Sequence, residues 1–537
     1  MAALIREWIE QAAACRGADL YLADARGPAT LSYAGLLGTV IDVERRLDAA
    51  GLPPGARIVV RLGEPVEYAT ALVAIIAAGR VAVPLDPGAP DTDVARVLGV
   101  ARPAAVVYRV DTAYRVDTAY RADTAYRADT AYRADTAYRA DTAYRVEAGP
   151  GSAQAGQPGE ATGPFEIAEF DFDVIDPADP DALVSAAPAA AGGGIFLCTS
   201  GTTGTPKGIL LREEQLAHVA SSVVDCHRLT AADRGYCSLP LFHVNAEVVG
   251  VLATLRAGAH LALDRKFSRR GFWQLISDRR ITWINAVPAI ISILASEPPA
   301  VRPAALRFVR SASAPLPLAA LERFESALGV PVVETYGMTE AASMITANPV
   351  DGPRKPGSAG RPAGAEVRVE LGGGGSARPG EIGRVQIRGA GVITSYDGGG
   401  RPGVIDGDGW LDTSDLGYLD ADGYLFLVGR SDDVINRGGE KIYPREIEEI
   451  LLAQPGVRSA AVVGVADEVL GERPVAYVVT VAAAVAAEVE AVLSEACAAR
   501  LPRHKQPSEF CLVAEMPLGP TGKISRQKLR DLVTSAP

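Results

Sequence analysis

Five hydroxyl residues, three glycines and one lysine crowd into LCTSGTTGTPKG, residues 197–208, a stretch that grows out of the apolar run GIFLC. Glycines let backbone N–H groups turn inward and approach an anion closely, hydroxyls add donors, and Lys207 adds charge. That composition is a phosphate cradle. It is not a Walker A loop, because Pro206 precedes the lysine and Gly208 stands where a Ser or Thr would bind magnesium. The plainer reading, a polar turn, fits poorly with a run so dense in Thr, Gly and Lys directly after a strand. Other chemically capable residues lie further on: YGMTEAA at 336–342, Asp415 in GWLDTSDLGYL, Arg430 in VGRSDD, and Lys523 in PLGPTGKISRQKL. Taken singly they are ordinary. A lone Asp, Arg or Lys is usually a solvated or paired surface charge, and Glu340 could simply cap a helix.

The order and separation of these stretches resemble those of the adenylate-forming superfamily, the acyl-CoA synthetases, peptide-synthetase adenylation domains and luciferases. The resemblance covers nearly the whole chain. It implies a reaction in two steps: a carboxylate attacks the α-phosphate of ATP to give an acyl-adenylate and pyrophosphate, and a thiol then displaces AMP. An anion must approach a polyanion, so cations and donors have to stand where charge develops. By resemblance, Thr199, Ser200, Gly201, Thr202, Thr203, Gly204 and Lys207 hold the β- and γ-phosphates. Tyr336 and Gly337 meet the adenine, Thr339 the α-phosphate, and Glu340 holds Mg²⁺. Asp415 accepts from the ribose hydroxyls with Arg430 beside it, and Lys523 bridges the acyl carboxylate and the α-phosphate. The small domain is expected to rotate about Asp432 between the steps, withdrawing Lys523 and presenting Gly438 and Gly439 to the pantetheine arm. The implied cofactors are ATP, Mg²⁺ and coenzyme A.

The implied acyl partner is a small-molecule carboxylic acid. PLFHVNAE carries His243 where peptide-synthetase domains usually have an Asp that holds an amino group, which favours a simple acid over an α-amino acid. His243 is the candidate for gating the thiol route or lining the acyl pocket, and Asn245, Glu247, Trp283, Asn285, Ser311, Ala312 and Gly337 are candidates for shaping it. RSASAP and the TEA run are similar to the oxalate-CoA ligase branch, yet the expected His two residues beyond TEA is missing (Ser343 and Met344 follow Ala342), which argues against a small dicarboxylate. Two further departures from the family pattern are Ser414, where Gly is usual, and Cys198, where Tyr is common. The main reading is an acyl-CoA ligase. Alternatives are a ligase that loads the phosphopantetheine of an acyl carrier protein, a variant keeping one half-reaction, and a scaffold with a relict site, against which the retained Lys207, Glu340, Asp415, Arg430 and Lys523 argue.

An α/β scaffold must position these residues. The balance of 48% apolar and 22% charged residues permits a large core, and a net charge of −12 does not favour nucleic acid or a membrane surface. Helical and strand patterns alternate through ARIVVRL, EYATALVAIIAAG, RVAVPLD and AAVVY, and LSYAGLLGTVIDVERRLDAAG reads as an amphipathic helix ended by Gly51. This predicts a large N-terminal domain (1–429) of parallel-rich sheets flanked by helices, with a small β subdomain between residues 357 and 427, then a small mobile α+β domain (430–537). Six hexapeptides of the type RADTAY, inside an insertion at 109–147, and a Gly/Pro/Ser/Gln-rich linker at 148–163 interrupt it. As a helix the unit forms no apolar stripe, so an expanded surface loop is expected. Scattered cysteines, no metal-ligand spacing and no apolar run long enough to span a bilayer point to a cytoplasmic protein without a membrane span.

Overall fold

The computed structural model describes residues 4–109, 170–174, 192–199, 207–372, 374–398, 403–480, 486–518 and 524–534. Two large sheets form the first body. In one, the strands Arg57–Val60, Val81–Pro84, Ala105–Arg109 and Gly194–Thr199 run parallel, as their near-continuous apolar sequences require of strands covered on both faces. In the other, six parallel strands, Leu20–Asp24, His260–Leu263, Arg234–Cys237, Trp283–Ala286, Phe308–Ser311 and Val332–Tyr336, lie side by side, with short antiparallel strands at both edges. The helix Pro65–Ala77 is buried all round, with contacts from both sheets, and Pro65 opens it where a missing N–H costs nothing. The helix expected from Leu31 starts at Tyr33, because Thr30–Ser32 first pairs as a strand; the Ser32 hydroxyl then accepts from the Gly35 N–H at 3.1 Å.

The Gly-rich region 366–430 forms a five-stranded antiparallel sheet, as its short strands and turns predict. Beyond it, Ile435–Arg437, Glu440–Ile442, Val457–Asp467, Gly471–Thr480 and Glu509–Leu512 make a further sheet, covered by the helices Pro444–Leu452, Ala486–Arg500 and Arg526–Thr534. The first and last bodies have separate cores: Leu411 is the last residue of the large cluster, and Ile435 opens the small ones.

The hexapeptides after Arg109, and the linker, lie outside the described residues. Their flanks are informative. Arg109 pairs with Phe170 at the open end of an antiparallel pair, so residues 110–169 connect two neighbouring strands at the edge of their sheet. Among the described residues no helix is long and apolar enough to cross a membrane.

Candidate active site

The strands Gly194–Thr199 and Lys207–Arg212 form a hairpin in which Thr199 pairs with Lys207. The seven residues between them, including Ser200, Gly201, Thr202, Thr203 and Gly204, lie outside the described residues, as does Lys523. Lys207 itself is placed. Its Nζ sits 5.0 Å from the centre of the Tyr396 ring, a cation–π contact, and the Tyr396 hydroxyl donates to Glu340 Oε1 at 3.1 Å. One aromatic side chain thus joins the lysine of the glycine-rich loop to the glutamate of TEA. Backbone pairing fixes the frame: the Ile393 N–H donates to the Glu340 carbonyl at 2.8 Å, and Asp397 N–H to Gly208 O at 2.9 Å. The Asp397 carboxylate is in turn held by Arg57 at 2.9 Å.

Tyr336 ends the strand Val332–Tyr336. Its hydroxyl donates to Asp415 Oδ2 at 2.5 Å; burial, and then the charge of Asp415, push the phenol well above its usual pKa, so it stays a donor. Asp415 and Arg430 face each other across adjacent antiparallel strands, with 3.5 Å between guanidinium and carboxylate. The neighbouring Ser414 has φ +61°, so the serine occupies the left-handed conformation that suits the glycine usual in the resembled family. Gly337 and Thr339 follow Tyr336 in a turn capped by Ala342 and Ser343, both at positive φ. A Cβ on Gly337 would lie 1.3 Å from the Ser343 carbonyl oxygen, so only glycine fits there.

Glu340 is the single carboxylate proposed for the metal. The described residues hold no cluster of three His, Cys, Asp or Glu side chains. That donor set fits Mg²⁺, which keeps its waters and binds through one or two carboxylates plus phosphate oxygens.

The acyl-pocket candidates divide. Cys237, Asn285 and Arg310 are register partners on three adjacent parallel strands, so their side chains share a face. Asn245 opens a π-helix, Asn245–Leu252, that packs there, and its Oδ1 accepts from Arg310 at 2.7 Å. Glu247 joins none of these bonds. It is fully buried near Tyr68 with no hydrogen-bond partner among the described residues, and burial raises its pKa well above the ordinary range. Ser311 is buried at the strand end, where its carbonyl accepts from Thr335 Oγ1 at 3.1 Å, and the Ala312 N–H donates to Ala286 O at 3.3 Å. His243 packs its ring 4.7 Å from that of Phe242, and its carbonyl accepts from Ala246 as the chain turns into the π-helix. Sequence reasoning missed Tyr396 and Arg310. Arg310 sits in RSASAP, a stretch noted for its likeness to the oxalate-CoA ligase branch, and Tyr396 in the Gly-rich region expected to form the β subdomain.

At the hinge, Asp432 lies between two opposed anchors. Arg430 is paired with Asp415 on one side, and Asp433 with Arg526 and Arg530, both at 3.3 Å, on the other. Gly438 and Gly439, with φ +62° and +90°, make the two-residue turn of the hairpin that follows.

This scaffold of parallel sheets, β subdomain and small C-terminal body is that of enzymes that handle adenylates. The family model described as AMP-binding enzyme matches residues 9–397 and that of the AMP-binding enzyme C-terminal domain residues 446–523; the chain belongs to this family. It is 45% identical to a sulfoacetate–CoA ligase of Cupriavidus necator over 62% of the chain and 66% of that protein. It is 38% identical to an oxalate–CoA ligase of Arabidopsis thaliana over 66% of the chain and 71% of that protein. The match thus spans about two thirds of these relatives' length. Among solved structures, the o-succinylbenzoate CoA synthetase of Bacillus subtilis with its acyl-adenylate intermediate superposes at a TM-score of 0.75 with 26% identity, covering 98% of both chains. The same enzyme with ATP and magnesium also matches at 0.75.

Proposed function

We propose that the protein is an ATP-dependent acyl-CoA ligase that activates a carboxylic acid as acyl-AMP and passes it to the thiol of coenzyme A. The observation that carries this reading is Tyr396, whose ring face meets Lys207 and whose hydroxyl donates to Glu340, in the same short motif as the Tyr336 that pairs with Asp415. Lys207 offsets phosphate charge and Glu340 receives Mg²⁺, which when bound neutralises phosphate oxygens. Asp415 stands ready to accept from ribose hydroxyls, kept in place by Tyr336 and Arg430. In the first step a carboxylate oxygen of the acid bonds to the α-phosphorus as the bond to the bridging oxygen breaks, and pyrophosphate leaves. In the second the sulfur attacks the acyl carbon, AMP departs with the electron pair, and the thiol proton goes to solvent.

The division into an N-terminal domain (1–429) and a mobile C-terminal domain (430–537) is part of the proposal, supported by the separate cores and by the opposed anchors around Asp432. Coenzyme A rather than a carrier protein is favoured because the curated relatives are named as CoA ligases. Six unpaired cysteines agree with a reducing compartment, the cytoplasm. The test separates the half-reactions. Lys523→Ala is expected to abolish acid-dependent ATP–pyrophosphate exchange while sparing thioester formation from supplied acyl-adenylate. Exchange at the wild-type rate in that variant would sink the assignment of Lys523.

A further inference from the structure

Arg310 is a cation in the wrong place for a purely structural residue. It is 1% exposed, in the middle of a parallel sheet. Its NH1 donates to two side-chain amide oxygens, Asn245 Oδ1 at 2.7 Å and Asn285 Oδ1 at 3.0 Å, and its Nε has no partner among the described residues. Amides are neutral and leave the charge uncancelled. No ion pair to Arg310 forms among the described residues, and the buried carboxyl on the π-helix, Glu247, joins none of its bonds and is itself unpartnered. Burial pulls the guanidinium down to about 9, which still leaves it charged near neutrality. Burying an unpaired charge costs several kcal/mol, a cost that a partner of opposite sign relieves.

The polar chain around Arg310 leads outward. Asn285 Nδ2 donates to Asn245 Oδ1 at 3.3 Å, and Asn245 Nδ2 to the hydroxyl of Ser313 at 3.3 Å. Ser313 is exposed, just past the C-terminal end of the strand Phe308–Ser311, and held at φ +73°. Ligands of open α/β sheets bind at this edge, and Tyr336 ends the next parallel strand of the same edge. Asn245 begins a π-helix, an element that often marks a functional site.

We propose that Arg310 is the counter-charge for an anionic group at the far end of the acyl substrate, so that the acid carries a second anion, a carboxylate or a sulfonate. This rests on the ligase reading. Asn245 and Asn285 then fix the guanidinium plane, and Ser311 and Ser313 flank the way in. The His missing beyond TEA removes one expected cation from the oxalate-like pattern; Arg310 supplies another from a different strand.

The test is pyrophosphate exchange by the wild-type enzyme with acids matched in size: malonate and succinate, sulfoacetate and 3-sulfopropionate, propionate and butyrate. The doubly anionic acids are expected to exceed the neutral-tailed ones by at least about 100-fold in kcat/KM, and the two anionic sets show which group is taken. Arg310→Met should lose about 100-fold on the anionic acids and change the neutral-tailed ones by less than about fivefold, with Arg310→Lys between. A wild-type preference for neutral-tailed acids leaves the ligase reading standing and overturns this one, as does an Arg310→Met enzyme that unfolds normally but loses both classes equally. If that variant does not fold, the wild-type preference decides alone. Exchange with none of these acids overturns this proposal, and the ligase reading falls with it when longer aliphatic and aryl acids give none either.

Discussion

At the scale of the residue, Tyr396 shows how one side chain can serve two charges of opposite sign. Its ring face is electron-rich and meets Lys207; its hydroxyl donates to Glu340. Separating these roles is possible. Tyr396→Phe keeps the ring and is expected to leave the KM for ATP within about twofold while raising the Mg²⁺ concentration for half-maximal exchange by roughly tenfold to 100-fold, since one hydrogen bond to a charged group is worth about 1.5–3 kcal/mol. Tyr396→Leu removes both contacts and should also raise the KM for ATP by about tenfold, near the 0.5–2 kcal/mol of a cation–π contact. Steady-state exchange against ATP and against Mg²⁺ measures both; identical behaviour of the two variants would show that the ring contributes nothing. Tyr396 was invisible in the sequence because its partners are remote, Glu340 lying 56 positions away. Lys207, Tyr336, Glu340, Asp415 and Arg430 were legible because each sits in a compact motif. Arg310 was not: its Asn245 and Asn285 partners are 65 and 25 positions away, Asn285 brought beside it by parallel strand register and Asn245 by the packing of the π-helix.

At the scale of the element, the turn after Tyr336 is the tightest constraint in the site. Ala342 and Ser343 take positive φ, a conformation non-glycine residues adopt at a cost of about 1–3 kcal/mol each, and the Ser343 N–H donates back to the Met338 carbonyl at 3.2 Å. The loop therefore folds over Gly337, whose missing Cβ gives the Ser343 carbonyl its room. Gly337→Ala forces backbone apart from backbone. It is expected to lower acid-dependent exchange by at least about 100-fold and the melting temperature by several degrees, on the order of the largest single-residue effects; calorimetry and exchange on the same sample check it, and a fully active, equally stable variant would contradict the geometry. Regular elements were the easier reading. Apolar patterning marks the helix Pro65–Ala77 and the buried strands to within about two residues. The π-helix Asn245–Leu252 could not be read, because an apolar run such as EVVGVL carries no signal that separates one helical hydrogen-bond spacing from another.

At the scale of the whole molecule, the strands that flank the conspicuous repeat lie away from the glycine-rich hairpin. The strands Ala105–Arg109 and Phe170–Val174 pair with each other at the sheet edge farthest from the glycine-rich hairpin: the order runs from Phe170–Val174 through Ala105–Arg109, Arg57–Val60 and Val81–Pro84 to Gly194–Thr199 and Lys207–Arg212. An antiparallel pair holds its own register through backbone hydrogen bonds, so the length of the connection between its ends enters mainly through closure entropy. Deleting residues 109–144 joins Tyr108 to Arg145, which restores an arginine at the strand end, and shortens the connection from 60 residues to 24. By the logarithmic dependence of closure entropy that is a change of about 0.8 kcal/mol, in the stabilising direction. The deletion variant is therefore expected to keep wild-type exchange activity within about twofold and to unfold at the same temperature or slightly above it. Loss of activity with unfolding unchanged would assign the hexapeptides a part in the reaction. Loss of folding would show that the strand Phe170–Val174 depends on them for its register, since among the described residues Ala105–Arg109 is its one strand partner.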